Sequence, residues 1–242
     1  MAEKLYTIPV NDAFDLHSEC PICSMTAKLE RDAVEYTLGP SYMEDDVRME
    51  TDEKGFCTPH MRLLLAEKNR LGLSLILKTH LDRQIRAAEI LKKSTIKPKS
   101  ILKKGDESEI GKYLRETDGR CFICDRMNLT FPHYLDTTVR LFDKDPEFRK
   151  KYGECKGFCG KHAGMLIEKG REKLSGKHLT EFCAVTLQLY EENLKRLSED
   201  LDWFQNKFDY RYKDAPWKNS RDAIERAAVK TNGILPKEEK QA

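Results

Sequence analysis

The chain places cysteine and histidine in one arrangement twice: Gly-Phe-Cys-x2-His at 55–60 and again at 157–162. Each copy is preceded by a Cys-x2-Cys pair, Cys20 with Cys23 and Cys121 with Cys124. Gaps of 33 and 34 residues separate the two halves. Two ligands separated by two residues reach one ion from a tight turn or a helix start. Two such pairs supply three thiolates and one imidazole, a closed tetrahedral set. A helix N-terminus at the motif would favour thiolate over thiol through its free N–H groups and dipole. Gly55 and Gly157 would let the backbone turn sharply ahead of the third ligand.

Read repeat by repeat, Cys20, Cys23, Cys57 and His60 are expected to hold one ion, and Cys121, Cys124, Cys159 and His162 a second. Two zinc ions are the leading expectation for the cofactor. Two [4Fe-4S] clusters are the alternative, because thiolates dominate the set and spacing does not separate the two chemistries. A thiol redox switch, or buried cysteines without metal, stays open. A thioredoxin-like use of Cys-Pro-Ile-Cys needs a βαβ setting that the sequence does not offer. Four-ligand sites leave no open position for water or substrate, which argues against hydrolysis there.

The remaining candidates sort by recurrence. Cys155 aligns with Glu53 in the earlier copy and is set aside as a ligand. Cys183 sits in an apolar helical stripe and reads as a buried small hydrophobe. His17 aligns with Asp118, which suits a supporting or capping role better than ligation. His80, His133 and His178 have no recurring partners and read as ordinary histidines.

The elements that position these residues repeat as well. Cys20 and Cys23 recur 101 residues on; Cys57 and His60 recur after 102. Just downstream, "AEKNRLGLS" (66–74) is echoed by "IEKGREKLS" (167–175). The expected organisation is a helical repeat over 10–92, a basic linker over 93–109, a second repeat over 110–198 and a C-terminal aromatic and charged segment over 199–232. Met25, Leu29, Ala33 and Tyr36 form a helical stripe closed by Gly39-Pro40. Ser41 with Glu44 reads as a capping box for a short acidic helix. Thr58-Pro59 reads as cap and first turn of the next helix, with Leu64, Leu71 and Leu75 on one periodic run and a bend at Gly72. In the second copy, Thr130 and Asp145-Pro146 offer starts. A long periodic stretch follows over 180–206, with Phe182, Leu187, Leu194, Leu197 and Leu201 inward. Strand-like alternation never persists, so the fold class is all-α.

Composition agrees. In 242 residues, 39% hydrophobic and 35% charged with sparse Gly and Pro describe a helix-rich chain with heavily solvated faces. No apolar run is long enough for a membrane span, and the N-terminus lacks a secretory pattern, so a cytoplasmic location is expected. There, eight cysteines point to metal or redox use rather than disulfides. A net charge of +2 makes no case for nucleic acid. The lysine-rich linker lacks interleaved aromatics and reads as solvated rather than as a nucleic-acid arm. Glu44, Asp45, Asp46 and Glu50 read as a solvated acidic face, with a basic partner or second metal as the rival. The last segment gathers Trp203, Phe204, Phe208, Tyr210, Tyr212 and Trp217 among Asp209, Arg211, Asp214 and Arg221. It reads as a strap buried against the helices, or as a recognition patch. The tail from Asn232 is expected to fray.

Several longer stretches, "YTIPVNDAFD", "EYTLGPSYMEDDVR", "NRLGLSL" and "DWFQNKFDYRYKDAPWKNSRDA", together with the cysteine motifs, resemble an uncharacterised bacterial family known only as a domain of unknown function. The resemblance covers nearly the whole chain and implies that the acidic and aromatic segments belong to the family pattern. It brings no activity, cofactor or partner. Its association with anaerobic lineages implies somewhat more weight for iron–sulfur chemistry, with zinc still ahead. The expected function is that of a metal-binding helical protein with a non-catalytic binding or regulatory role toward a protein or small-molecule partner. Electron transfer or redox sensing is one alternative. An enzyme with a pocket near Asp209, Arg211 and Asp214 is another, unsupported by any Ser-His-Asp set, phosphate loop or His-Glu-x-x-His motif.

Overall fold

A computed structural model describes residues 5–93 and 108–235. The fold is all-α: the described residues form helices α1 (Thr7–Asp15), α2 (Pro21–Leu38), α3 (Asp45–Lys54), α4 (Thr58–Ala66), α5 (Arg70–Lys92), α6 (Glu109–Asp118), α7 (Phe122–Lys144), α8 (Pro146–Glu154), α9 (Gly160–Lys173), α10 (Gly176–Asn206) and α11 (Ala223–Asn232), with 3-10 turns at Pro40–Met43 and Tyr210–Tyr212. No strand occurs among them. Most of the lysine linker, residues 94–107, lies outside the described residues, as does the tail from 236.

Local chemistry sets the helix ends, and several differ from the sequence reading. Asp145 caps α8 by accepting from the N–H groups of Glu147 and Phe148, as expected. Ser41 does not cap α3; its hydroxyl donates to the carbonyl of Tyr36, and Pro40 turns 40–43 into a 3-10 turn. Thr58 is the first residue of α4 rather than its cap; Cys57 holds the cap position, with Pro59 just inside. The apolar run after His60 does not bend at Gly72. It breaks at 67–69, where Asn69 starts α5 by accepting from Gly72 N–H. Leu71 consequently faces solvent. Thr130 starts nothing, because α7 runs through it with Pro132 inside the helix. In α10, Phe182 and Leu197 are buried as expected, but Leu187 is exposed.

The chain divides into two compact units that do not follow the boundaries of the sequence repeat. The first comprises Met1–Lys28 and Thr130–Ala242, the second Leu29–Leu129. In the first, α1 packs on α8, and α9 and α11 pack on α10. Its core is aromatic. Tyr152, fully buried, stands 5.0 Å from Phe142, 5.1 Å from Phe158 and 5.7 Å from Phe14 between ring centroids. Its hydroxyl is satisfied by Thr186 Oγ1 at 2.7 Å, as burial of a phenol requires. The second unit packs α3 and α4 on α5 around an aliphatic core that includes Ala33, Val34, Leu38, Val47, Leu64, Leu73 and Ile76. The solvated face of α3 carries Glu44, Asp45, Asp46 and Glu50, all exposed, with Glu50 paired to Lys54 at 2.9 Å.

Candidate metal centres

Each unit brings one Cys-x2-Cys half and one Cys-x2-His half together, but not the halves of one repeat. In the first unit Cys20 and Cys23 converge with Cys159 and His162; in the second, Cys121 and Cys124 converge with Cys57 and His60. The pairing expected within each repeat is therefore corrected to an exchanged one. Each group of four ligand atoms lies within 4.8 Å of one another.

Both halves are built from the same local parts. The first cysteine of each Cys-x2-Cys accepts a hydrogen bond from the backbone N–H of the second, at 3.4 Å for Cys20 and 3.5 Å for Cys121. Cys57 and Cys159 are the N-caps of α4 and α9, where the helix dipole stabilises a thiolate. The preceding glycines turn the chain with φ of 60° at Gly55 and 71° at Gly157, a region that a side chain would strain. The phenylalanines between them anchor the turns: Phe158 is in the aromatic core, and Phe56 meets Phe122 at 6.4 Å.

The distances suit a single four-coordinate ion. Cys23 Sγ and Cys159 Sγ are 3.7 Å apart, and Cys57 Sγ and Cys124 Sγ 3.8 Å. A regular tetrahedron with bonds of about 2.3 Å to sulfur has S···S edges of about 3.8 Å. Nδ1 of His162 stands 3.2 Å from Cys159 Sγ, 3.3 Å from Cys23 Sγ and 3.5 Å from Cys20 Sγ. Nδ1 of His60 stands 3.2 Å from Cys57 and Cys121 and 3.3 Å from Cys124.

Proton sharing inside each group shows how it concentrates negative charge. Hydrogen bonding to Cys121 and to Glu30 raises the His60 imidazole to about 10. Burial opposes ionisation of Cys121, but His60 and two backbone N–H groups outweigh it and bring the thiol down to about 6. Burial, with Cys121 beside it, pushes Cys124 up to about 12. In the first unit, hydrogen bonds with Cys20 and Cys23 hold Cys159 far below the usual thiol range, while hydrogen bonds with Cys159 and Cys20, and burial, push Cys23 far above it. Burial would lower His162, but Cys159 and Cys20 lift it to about 9.

Two supporting features escaped the sequence reading. Glu30 Oε1 lies 3.0 Å from His60 Nε2, a carboxylate backing the ring nitrogen that faces away from the thiols. The residue 101 positions on is Phe131, and its ring stands 5.9 Å from the ring of His162. Lys230, 1% exposed on α11, donates from Nζ to the carbonyls of Glu19 and Lys156, the first directly ahead of Cys20 and the second ahead of Gly157. A lysine on a C-terminal helix carries no sequence signal for such a role; only the fold brings it to both turns. Gly233, with φ of 69°, ends α11 against the same cluster, and a Cβ there would stand 3.5 Å from Cys23 Sγ. Gly233, within the tail expected to fray, is therefore held against the cluster.

The remaining candidates fall outside both groups. Cys155 is buried, its sulfur accepting from Gly157 N–H at 3.3 Å, and burial pushes its thiol up to about 11. Cys183 is only half-buried, less than its stripe suggested. His17 is exposed at φ 48° and supports neither group. Asp209 and Arg211 pair with each other at 2.7 Å on the surface. The aromatic strap folds on itself: Trp203 Nε1 donates to Pro216 O, and Lys207 Nζ to the carbonyls of Tyr212, Lys213 and Ala215, while Phe208 and Tyr210 stay exposed. No described helix is long and apolar enough to cross a membrane.

Among protein families, a family of unknown function (DUF6062) matches residues 1–238, and the chain belongs to it. No curated protein and no solved structure matches it significantly.

Proposed function

We propose that this DUF6062 member is a two-zinc protein in which each ion closes one compact unit, and that its role is non-catalytic binding or regulation. The observation that supports it most is the convergence of three sulfurs and one Nδ1 with edges of 3.7 and 3.8 Å. One residue per iron is the rule for a four-iron cluster, so its ligand sulfurs must stand further apart than the edge of a single-ion tetrahedron. Three thiolates and a neutral imidazole suit zinc, a borderline-soft ion without geometric preference of its own. Four protein ligands fill the tetrahedron, so the ion would supply folding energy rather than an activated water.

In each unit the cysteine pair opens a long helix and the Cys-x2-His half opens another. Bound zinc would fix those two helix starts together. That is work for a scaffold, and it leaves the surfaces of both units to meet a protein or small-molecule partner in the cytoplasm.

Elemental analysis of anaerobically prepared protein tests the cofactor, with about two zinc per chain expected from the two four-ligand sets. Cobalt substitution should then give the intense charge-transfer and tetrahedral bands of thiolate ligation. About eight iron per chain with visible absorption would replace this reading by the iron–sulfur one. Protein without stoichiometric metal, keeping its helicity through exhaustive chelation, would remove both.

A further inference from the structure

The first unit carries a basic cleft that the metal centres do not use. It has a volume of about 580 Å³, and its wall includes Lys156, Arg196, Lys218, Arg221 and Arg226 against only two acids, Glu154 and Asp222. Two of the cations are already matched. Arg226 donates to Asp200 at 2.8 Å and to Asp222 at 2.9 Å, and Arg196 donates to the buried carboxylate of Glu19. Lys156 makes a looser ion pair, its Nζ 3.9 Å from Glu19 Oε1. The other two cations have no carboxylate partner among the described residues. Lys218 Nζ lies over the Trp203 ring at 3.9 Å, and the Arg221 guanidinium lies 5.9 Å from the Trp217 ring. Neither forms an ion pair with another described residue. Glu154 leans toward Lys150, 3.9 Å away along its own helix.

The backbone gives an independent sign. Lys218 has φ of 52°, the left-handed region that a lysine enters at a cost and that persists where surrounding structure holds a side chain in place. Here it sets an ammonium group at the rim of the cleft. Two unpaired cations with a loosely paired third around one cavity attract a compact polyanion, and a guanidinium among them suits the paired oxygens of phosphate. The volume is that of a small-molecule site, and the side-chain amide of Asn219 in its wall adds a neutral donor.

We infer that this cleft binds a small phosphate-bearing anion through Lys156, Lys218 and Arg221. None of the cluster residues takes part, so the site stands or falls separately from the zinc reading.

Titration calorimetry of the full metal-loaded chain with inorganic phosphate at low ionic strength tests it, with succinate as the dicarboxylate arm. Saturable binding of one phosphate per chain is expected, with succinate clearly weaker. Lys218→Gly suits the left-handed backbone better than lysine does, so it removes the charge without unfolding the loop. It should weaken phosphate binding about tenfold or more, and so should Arg221→Gln, with circular dichroism and metal content unchanged. No saturable heat at millimolar phosphate, equal binding of succinate, or folded variants that bind as the parent does would each overturn the assignment.

Discussion

The two candidate metal centres share residue types, order and turn geometry, yet they are held differently. In the second unit, the N–H of Phe122 donates to Gly55 O at 3.0 Å and ties the Cys-x2-Cys turn directly to the glycine turn. The position equivalent to Phe122 in the first unit is Pro21, which has no N–H to give. There Lys230 makes the tie instead, bonding a carbonyl from each turn. Burial differs in the same sense. Cys20, Cys23, Cys159 and His162 are all buried, and Gly233 lies against two of the sulfurs, whereas Cys57 and Cys124 are half-buried. One centre is sealed and stitched by the C-terminal helix. The other is self-sufficient but open, and it compensates with a carboxylate behind its histidine. Equivalent ligands thus need not make equivalent sites, because the supporting shell differs.

The largest effect should come from breaking the pairing. Replacing Cys20 and Cys23 together by serine should take the metal content from two ions to one, a loss on the scale of the roughly 10–16 kcal/mol of structural zinc binding. Mass spectrometry after alkylation reads the partner. Cys159 should become reactive while Cys57 stays protected, and the reverse would restore the pairing within each repeat.

Lys230→Met should come next. It leaves two carbonyls without their shared donor, at about 1–3 kcal/mol each, and should loosen only the centre at Cys20. Chelator competition on the two ions, resolved by cobalt spectra, would show one weakened site, and equal weakening of both would refute the stitch. Glu30→Gln should act on the other centre alone, lowering its metal affinity about 10- to 100-fold. Phe131→Leu, at the equivalent position, should leave the sealed centre's affinity nearly unchanged.

The smallest effect concerns proton competition. In the metal-free state His60 is raised to about 10 and His162 to about 9, so at neutral pH both rings carry a proton that metal must expel. Affinity should therefore rise with pH and fall as pH drops, by about tenfold per unit for each proton released. On acidification or chelation the half-buried centre should empty first. Proton release on metal addition, and the order of loss, can be followed by a dye and by cobalt bands.

All-α architecture, the eight clustered residues and the glycine turns were legible because each rests on local information: helical periodicity, short ligand spacing, and residues whose backbone freedom matters. Helix starts at Ser41, Thr58 and Thr130 were misread where proline signals competed with tertiary packing. Which halves meet was not legible. A Cys-x2-Cys half closes the same Cys3His set with either Cys-x2-His half. The entropy of the longer loop separates the choices only slightly, about 0.6 kcal/mol per doubling of length. The sequence by itself determined the thiol and imidazole chemistry on offer and the helices that carry it. Only the tertiary structure decided the exchange of partners, the role of Lys230 and the carboxylate behind His60, because each depends on contacts between residues far apart in the chain that no local pattern encodes.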